Sequence, residues 1–244
     1  IIGVLNNDMI GNIEGVDGVI DNRSFRIFSE PFSFNPKYAN GLNMRTQGGE
    51  NDGLSRQLAR YVHKTVKKYM PELNPIMIYR LDRFGRGGHH RPFNDEGFAG
   101  IRIMEAHENY IRQHNDIRNE NGIDYGDVLS GVNFDYAAKL TSVNAISLAS
   151  IASSPKPPNN LKIGGIVEPS VRFRWEQPND SSIIGYKIYW RETTSSTWEY
   201  SKTIGLVDNY ILDGIVIDNF IFGVSSINSE GYESLVVFPG STFR

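Results

Sequence analysis

The most constraining feature of this sequence is a change of pattern at a proline-rich stretch, Ser153-Ser154-Pro155-Lys156-Pro157-Pro158-Asn159-Asn160. Before this stretch, short apolar segments alternate with long segments of helical periodicity. After it, every segment has the pattern of a short strand bounded by turn residues. Runs of proline and polar residues are typical of linkers between domains. We therefore predict two domains, residues 1–154 and residues 155–244.

The first predicted domain alternates helices with short strands. Residues 52–70 and 133–152 are predicted helices, the first with an apolar stripe at Leu54, Leu58, Tyr61, Val62 and Val66. Asp52 stands where a helix cap is expected. Apolar strands are predicted within residues 1–9, 75–80 and 98–104, and residues 24–50 are predicted to be irregular. This alternation indicates an α/β sheet.

The second predicted domain contains only strands. Residues 171–176, 185–191 and 219–226 are apolar or alternating segments, and turn residues such as Pro178-Asn179-Asp180 separate them. About ninety residues of this kind predict an immunoglobulin-like β-sandwich. Trp175 and Tyr186 are predicted to pack in its core.

The composition excludes several classes of function. The chain has no cysteine, so any metal must be held by histidine and carboxylate side chains. The net charge of −3 gives no electrostatic reason to expect binding to nucleic acid. No apolar run approaches the roughly 20 residues that span a bilayer.

The N-terminus begins inside an apolar segment, Ile1-Ile2-Gly3-Val4-Leu5, without an initiator methionine or a signal peptide. Natural chains seldom start inside a core strand. We therefore expect the chain to be a fragment of a longer protein.

Three stretches of the first predicted domain resemble the di-zinc aminopeptidase family, which includes bacterial leucyl aminopeptidases and glutamate carboxypeptidases. Residues 4–11 (VLNNDMIG) are similar to a strand that ends in a metal-binding aspartate. Residues 85–93 (GRGGHHRPF), with residues 97–102 (GFAGIR), are similar to the family's S-D-H-x-x-F loop and the strand after it. Residues 108–116 (ENYIRQHND) are similar to the segment with the last histidine ligand. The strand pattern of residues 157–244 resembles a fibronectin type III domain.

The resemblance implies a fold, a metal site and an activity. The fold would be part of an αβα zinc-exopeptidase sandwich, followed by the β-sandwich. Asp8 and His114 would be ligands of a site for two zinc ions, with Asp116 supporting a ligand or holding the loop. The protein would be a secreted, periplasmic or cell-surface bacterial enzyme that removes N-terminal residues from peptide substrates.

The resemblance also implies residues that this sequence lacks. A complete site needs an earlier histidine, a bridging aspartate and an adjacent Glu-Glu pair that includes the general base, and all of these would precede the Asp8 strand. The sequence contains no Glu-Glu pair. We therefore expect the chain by itself to be inactive, whereas the complete protein is expected to be an enzyme.

Other residues in and beside the glycine-rich loop, residues 85–93, allow two interpretations each. His89 replaces an aspartate of the family pattern, and both His89 and His90 either contact the site or belong to a structural loop. Arg83 and Arg86 either bind a substrate carboxylate or hold the loop to Asp82.

Two alternative functions stay open at this point. The first is a non-catalytic binding or adhesion protein on a degenerate peptidase fold, as in the transferrin receptor. The second adds a role for the β-sandwich in contacting a cell surface or a glycan, for which exposed Trp190 or Trp198 would be candidates.

Overall fold

The computed structural model describes residues 1–35 and 48–243. The part of the chain before the proline-rich stretch, called the first part, contains a four-stranded sheet in the order β1-β4-β2-β3. Its strands are β1 (Val4–Asn7), β2 (Ser24–Ser29), β3 (Asn74–Ile78) and β4 (Gly100–Glu105). A separate antiparallel pair, β5 (Arg118–Glu120) and β6 (Ile123–Tyr125), follows β4 in the chain. The helices of the first part are α1 (Leu54–Tyr69), the short α2 (Arg91–Asp95) and α3 (Phe134–Ala152). The sheet and the two long helices confirm the predicted mixed α/β class.

Strand β2 lies inside the sheet, so the prediction of irregular structure at this position is wrong. It pairs parallel with β3 and antiparallel with β4, where Ile27 faces Met77 on one side and Ile103 on the other. Phe25 and Ile27 alternate at the strand period and are fully buried. The adjacent aromatic Phe28 and the preceding turn-rich residues concealed this short alternation.

Helices α1 and α3 pack on one face of the sheet. Leu58, Val62 and Val66 of α1 share a buried apolar cluster with Tyr136 and Leu140 of α3, and with Phe25, Ile27, Ile101 and Ile103 of the sheet. Asn133 caps α3 by accepting from the backbone N–H of Tyr136 at 2.8 Å. Helix α1 begins after Gly53 without a side-chain cap, so the predicted cap at Asp52 is wrong.

The opposite face of the sheet carries polar side chains. Asn6 of β1 and Arg102 of β4 are buried there beneath the segment from residue 79 to residue 98, which includes α2. Within the two described ranges, both long helices lie on the other face. The three-layer αβα arrangement therefore stays a prediction.

The second part is a β-sandwich. One sheet has the order β10-β9-β12 and the other β11-β8-β7-β13. The strands are β7 (Asn159–Gly164), β8 (Ser170–Glu176), β9 (Ile183–Glu192), β10 (Tyr200–Ile204), β11 (Asn209–Asp213), β12 (Phe220–Asn228) and β13 (Ser241–Thr242). Trp175 and Tyr186 are buried with ring centroids 5.0 Å apart, which confirms their predicted core role.

Side chains from both parts meet in a buried ion network. The Asp52 carboxylate accepts from Arg60 of α1 and from Arg191 of β9, both at 2.8 Å. Arg60 also donates to the backbone oxygen of Ser196 at 2.8 Å. Asp52 is therefore occupied by two guanidinium groups, which explains why it does not cap α1.

Candidate metal centre

A cleft of about 700 Å³ opens where β1 and β4 end. Asp8 and His114, the two predicted metal ligands, both line it. The other polar residues of its lining are Asn12, Arg83, Arg86, Glu105, Asn109, Arg112, Gln113 and Asp127. The structure thus brings together a carboxylate and an imidazole that are far apart in the sequence.

Asp8 is held at the end of β1 by backbone contacts. Its N–H donates to the oxygen of Ile103 at 3.2 Å, and its own carbonyl accepts from Arg102 Nη2 at 2.9 Å. The Asp8 Oδ2 atom lies 3.1 Å from Arg102 Nη2, yet 40% of the side chain stays exposed. The carboxylate is therefore oriented by one arginine and still open to the cleft.

His114 lies in a loop whose backbone is held by its neighbour. Its φ angle of 52° is in the left-handed region, which is unusual for a residue with a Cβ atom. The Asn115 side-chain amide donates to the oxygens of Tyr110 and Gln113, both at 2.8 Å. Met9, directly after Asp8, is also left-handed with a φ of 45°. Backbone strain of this kind is concentrated at functional sites.

The two side chains fit zinc as part of a donor set. Carboxylate oxygen and imidazole nitrogen are ligand types that zinc takes, in sites with three or four protein ligands. Across residues 1–35 and 48–243, no group of three or more His, Asp or Glu side chains is arranged to hold a metal ion. Asp8 and His114 therefore need further donors to complete a zinc site.

The four remaining predicted site residues differ in position. Arg86 lines the cleft and is exposed, whereas His89 and Asp116 are exposed outside its lining. His90 is fully buried. The structure therefore groups Arg86 with Asp8 and His114, and it does not place the other three in the cleft.

His90 is held within the scaffold by both ring nitrogens. Nε2 lies 2.9 Å from the oxygen of Leu81, and Nδ1 lies 3.4 Å from the Asn6 side-chain amide. A carbonyl can only accept, so Nε2 carries the proton and Nδ1 accepts from Asn6. Burial lowers the pKa of His90 and favours this neutral ring. His90 thereby connects the glycine-rich loop to β1, two residues before Asp8.

Sequence reasoning missed Arg102, the main partner of Asp82 beneath the cleft. Arg102 and Asp82 are both buried, and Arg102 Nη1 donates to the two Asp82 carboxylate oxygens at 2.7 and 2.8 Å. The available signal was an arginine inside an otherwise apolar strand, Gly-Ile-Arg-Ile-Met. The interpretation that Arg83 or Arg86 holds the loop to Asp82 did not name Arg102, which lies nearer to the Asp82 carboxylate than the Arg83 Nε atom does, at 2.7 Å against 3.7 Å.

Glu105 was also missed, although it ends β4 at the cleft. Its side chain is buried, and its Oε2 atom has no hydrogen-bond partner among the described residues. Burial raises the pKa of Glu105 to about 8. The carboxyl group is therefore mostly neutral at pH 7 and adds little negative charge to the cleft.

Glu108 connects the loop of residues 108–116, which carries His114, to the sheet and to the glycine-rich loop. Its carboxylate accepts from Arg26 of β2 and from Arg83, both at 2.9 Å. Burial opposes its ionisation, but hydrogen bonds from these two arginines hold the pKa of Glu108 below its usual value. This pairing fixes the loop that carries His114.

Comparison with known proteins finds fungal relatives for almost the whole chain. A protein of Pyrenophora teres f. teres named probable zinc metalloprotease is 36% identical over 240 residues, which are 97% of this chain and 50% of that protein. Proteins with the same name in Leptosphaeria maculans and Phaeosphaeria nodorum are 36% and 34% identical, covering 97% and 98% of this chain and 55% and 49% of theirs. The chain thus spans about half the length of these relatives. Their fungal source gives no support to the predicted bacterial origin.

Solved structures match a smaller share of the chain. A fibronectin type III domain of the human collagen alpha-1(XX) chain is 22% identical, with a TM-score of 0.31, over 37% of this chain and 87% of that one. A Fn3-like protein from Clostridium thermocellum is 18% identical, with a TM-score of 0.28, over 34% and 86%.

The remaining comparisons complete the description. No protein-family model matches the chain. In the part of the chain that the structure describes, no helix has the length and apolarity to cross a membrane. The chain is similar over nearly its full length to about half of fungal proteins named probable zinc metalloproteases.

Proposed function

We propose that this chain is part of a zinc-dependent peptidase that removes N-terminal residues from peptides. In this proposal, Asp8 and His114 are two ligands of a site that holds two zinc ions. The observation that carries it is that both residues line one cleft, at the ends of β1 and β4. The name of the fungal relatives, probable zinc metalloprotease, supports zinc and peptide hydrolysis.

The residues of the cleft have separate tasks in this proposal. Zinc, when bound, polarises a peptide carbonyl and lowers the pKa of a water molecule. Arg102 orients the Asp8 carboxylate through contacts to both its Oδ2 atom and its backbone oxygen. Asn115 fixes the backbone around His114. The loop that carries the imidazole is therefore already ordered, and it loses little conformational entropy when zinc binds.

The remaining donors and the general base are proposed to come from residues outside this chain. The sequence has no Glu-Glu pair, which the family resemblance requires. The chain alone is therefore proposed to bind zinc weakly and to lack peptidase activity. Secretion or exposure at a cell surface, and a contact of the β-sandwich with a surface or glycan, are also proposals.

Zinc titration of the purified chain by calorimetry tests the ligands. We expect Asp8→Ala and His114→Ala each to weaken zinc binding at least about tenfold. Asp116→Ala and His89→Ala are matched controls, because both side chains are exposed outside the cleft. Equal zinc affinity in all four variants would rule out the proposed ligands.

Hydrolysis of leucine p-nitroanilide by the complete protein tests the activity. We expect zinc-dependent release of nitroaniline that is lost on His114→Ala, and no release by the chain alone. A complete protein that folds but neither binds zinc nor cleaves the substrate would favour the alternative, a non-catalytic binding protein.

A further inference from the structure

Two arginines of the cleft have no charged partner among the residues that the structure describes. Arg83 is occupied by Glu108, and the Asp8 carboxylate is occupied by Arg102. The side chains of Arg86 and Arg112 also line the cleft, and neither has an ion pair or a hydrogen bond to any described residue. Because a guanidinium is always charged at physiological pH, the cleft presents two uncompensated positive groups.

The position of Arg112 depends on a glycine in the facing wall. The backbone N–H of Arg112 donates to Asn109 at 3.0 Å, and its side chain runs along Gly131. A Cβ atom at Gly131 would lie 3.3 Å from Arg112 Nε, which is a tight contact, and 3.4 Å from Cδ, at the limit of an ordinary one. Gly131 thus leaves the space that the half-buried Arg112 stem occupies.

Acidic groups of the lining do not cancel this charge. Glu105 is buried, and its raised pKa of about 8 keeps it largely neutral. Asp8 and Asp127 are the other acidic residues of the lining, and they face the three arginines Arg83, Arg86 and Arg112. Three guanidinium groups against two carboxylates leave net attraction for an anion. The planar fork of an arginine matches a carboxylate, which it binds through two parallel hydrogen bonds.

We propose that Arg86 and Arg112 form a carboxylate-binding subsite beside Asp8 and His114. The peptides that enter this cleft would then carry a carboxylate near the bond to be cleaved, in an acidic side chain or at a nearby C-terminus. As a statement about substrates, this inference rests on the proposed peptidase function. As a statement about binding, it rests only on the charges of the cleft.

The test uses two pairs of peptides that differ only in one carboxylate. Ala-Glu-amide is compared with Ala-Gln-amide for a side-chain carboxylate, and Ala-Ala is compared with Ala-Ala-amide for a C-terminal one. Dissociation constants are measured by NMR titration of the chain in EDTA at low ionic strength, where screening is weak. We expect the carboxylate form of at least one pair to bind about tenfold more tightly. The pair that responds identifies the source of the carboxylate.

Variants separate the subsite from general charge effects. Arg86→Gln and Arg112→Gln are expected to remove most of the preference, and Gly131→Val is expected to weaken it without removing a charge. Arg23→Gln is the matched control, because Arg23 is exposed outside the cleft. The NMR spectra show at the same time that each variant is folded.

Two results would overturn the subsite. The first is equal binding of both members in both pairs, and the second is an equal loss of preference in Arg23→Gln. Because EDTA removes zinc and no bond is cleaved, a failure of the peptidase proposal would leave this measurement unchanged. Conversely, a zinc peptidase without carboxylate preference would contradict the subsite alone.

Discussion

Arg102 and Asp82 form an ion pair at 2.7 Å in which neither side chain is exposed to solvent. The same guanidinium contacts the backbone oxygen and the carboxylate of Asp8. One buried arginine thus connects the end of β1 to the segment over the polar face of the sheet. The geometry of the proposed metal ligand depends on a pair that does not itself bind metal.

Removal of Asp82 should strongly destabilise the fold. The Asp82→Ala change leaves the Arg102 charge buried and partly uncompensated, which costs about 3–5 kcal/mol. Urea unfolding of the wild type and the variant measures this loss. Glu120→Ala is the control, since its pair with Arg118 is exposed and such pairs contribute about 0–1 kcal/mol. A loss below about 1 kcal/mol for Asp82→Ala would contradict the structural role of the pair.

The part of the chain's stability that depends on Glu105 should fall as the pH rises from 4.5 to about 8. Burial raises the pKa of Glu105 from 4.5 to about 8, so the folded state holds its proton where the unfolded state has lost it. Stability from the protonated Glu105 carboxyl group is complete below pH 4.5. It is lost progressively as the pH rises through 8, and linkage sets the loss at up to about 5 kcal/mol. Unfolding curves at several pH values should show a smaller decline for Glu105→Gln.

Glu30 provides an independent check of this effect. Burial raises its pKa to about 7, so Glu30→Gln should flatten the decline between pH 4.5 and 7 only. If the wild type and both variants have parallel stability curves, the two carboxyl groups ionise as readily in the folded chain as in the unfolded one.

The Asp52 network should join the unfolding of the two parts. All three tryptophans, Trp175, Trp190 and Trp198, lie in the second part, whereas both long helices lie in the first. Tryptophan fluorescence and circular dichroism at 222 nm therefore report on different parts. We expect the two signals to change together in the wild type and at different denaturant concentrations in Asp52→Asn. The substitution leaves the Arg60 and Arg191 charges poorly compensated, which costs about 3 kcal/mol.

The control for this experiment is the exposed Asp213 on β11. Asp213→Asn should keep the two transitions together at nearly the wild-type midpoint. Coincident transitions in Asp52→Asn as well would show that other contacts join the two parts.

Adjacent glycines of the loop should respond differently to substitution by alanine. A Cβ atom at Gly88 would lie 2.6 Å from Asn6 Nδ2 and 2.9 Å from His90 Nδ1, so Gly88→Ala should break their contact and cost about 1–3 kcal/mol. At Gly87 the nearest atom is Arg91 Cδ at 3.5 Å, an ordinary contact. Gly87→Ala should therefore be close to neutral, as measured by thermal unfolding. Equal effects at both positions would contradict the tight packing at Gly88.

Local pattern determined much of the secondary structure. The apolar stripe through Leu58, Val62 and Val66 predicted α1, and the alternation in residues 171–176 predicted β8. These predictions succeed because side chains at a fixed spacing share one face of a regular element, whatever that face contacts. The same reasoning failed at β2, where the alternating positions are few and an aromatic residue interrupts them.

The sequence pattern predicted only part of the candidate site. Asp8 follows a recognisable strand, and His114 lies in a polar segment without apolar periodicity, so both stood out in the sequence. That they line one cleft with Arg86 and Arg112 is decided by the order of β1 and β4 in the sheet and by the loop that Glu108 holds.

The sequence by itself determined the two long helices and several of the strands, but not β2, and it determined which residues have side chains able to bind a metal. Only the tertiary structure decided that Asp52 pairs with Arg60 and Arg191 instead of capping a helix, and that Arg102 contacts both Asp8 and Asp82. The physical reason is that periodicity reports which residues are buried, whereas the partner of a buried charge comes from whichever distant segment the fold places beside it.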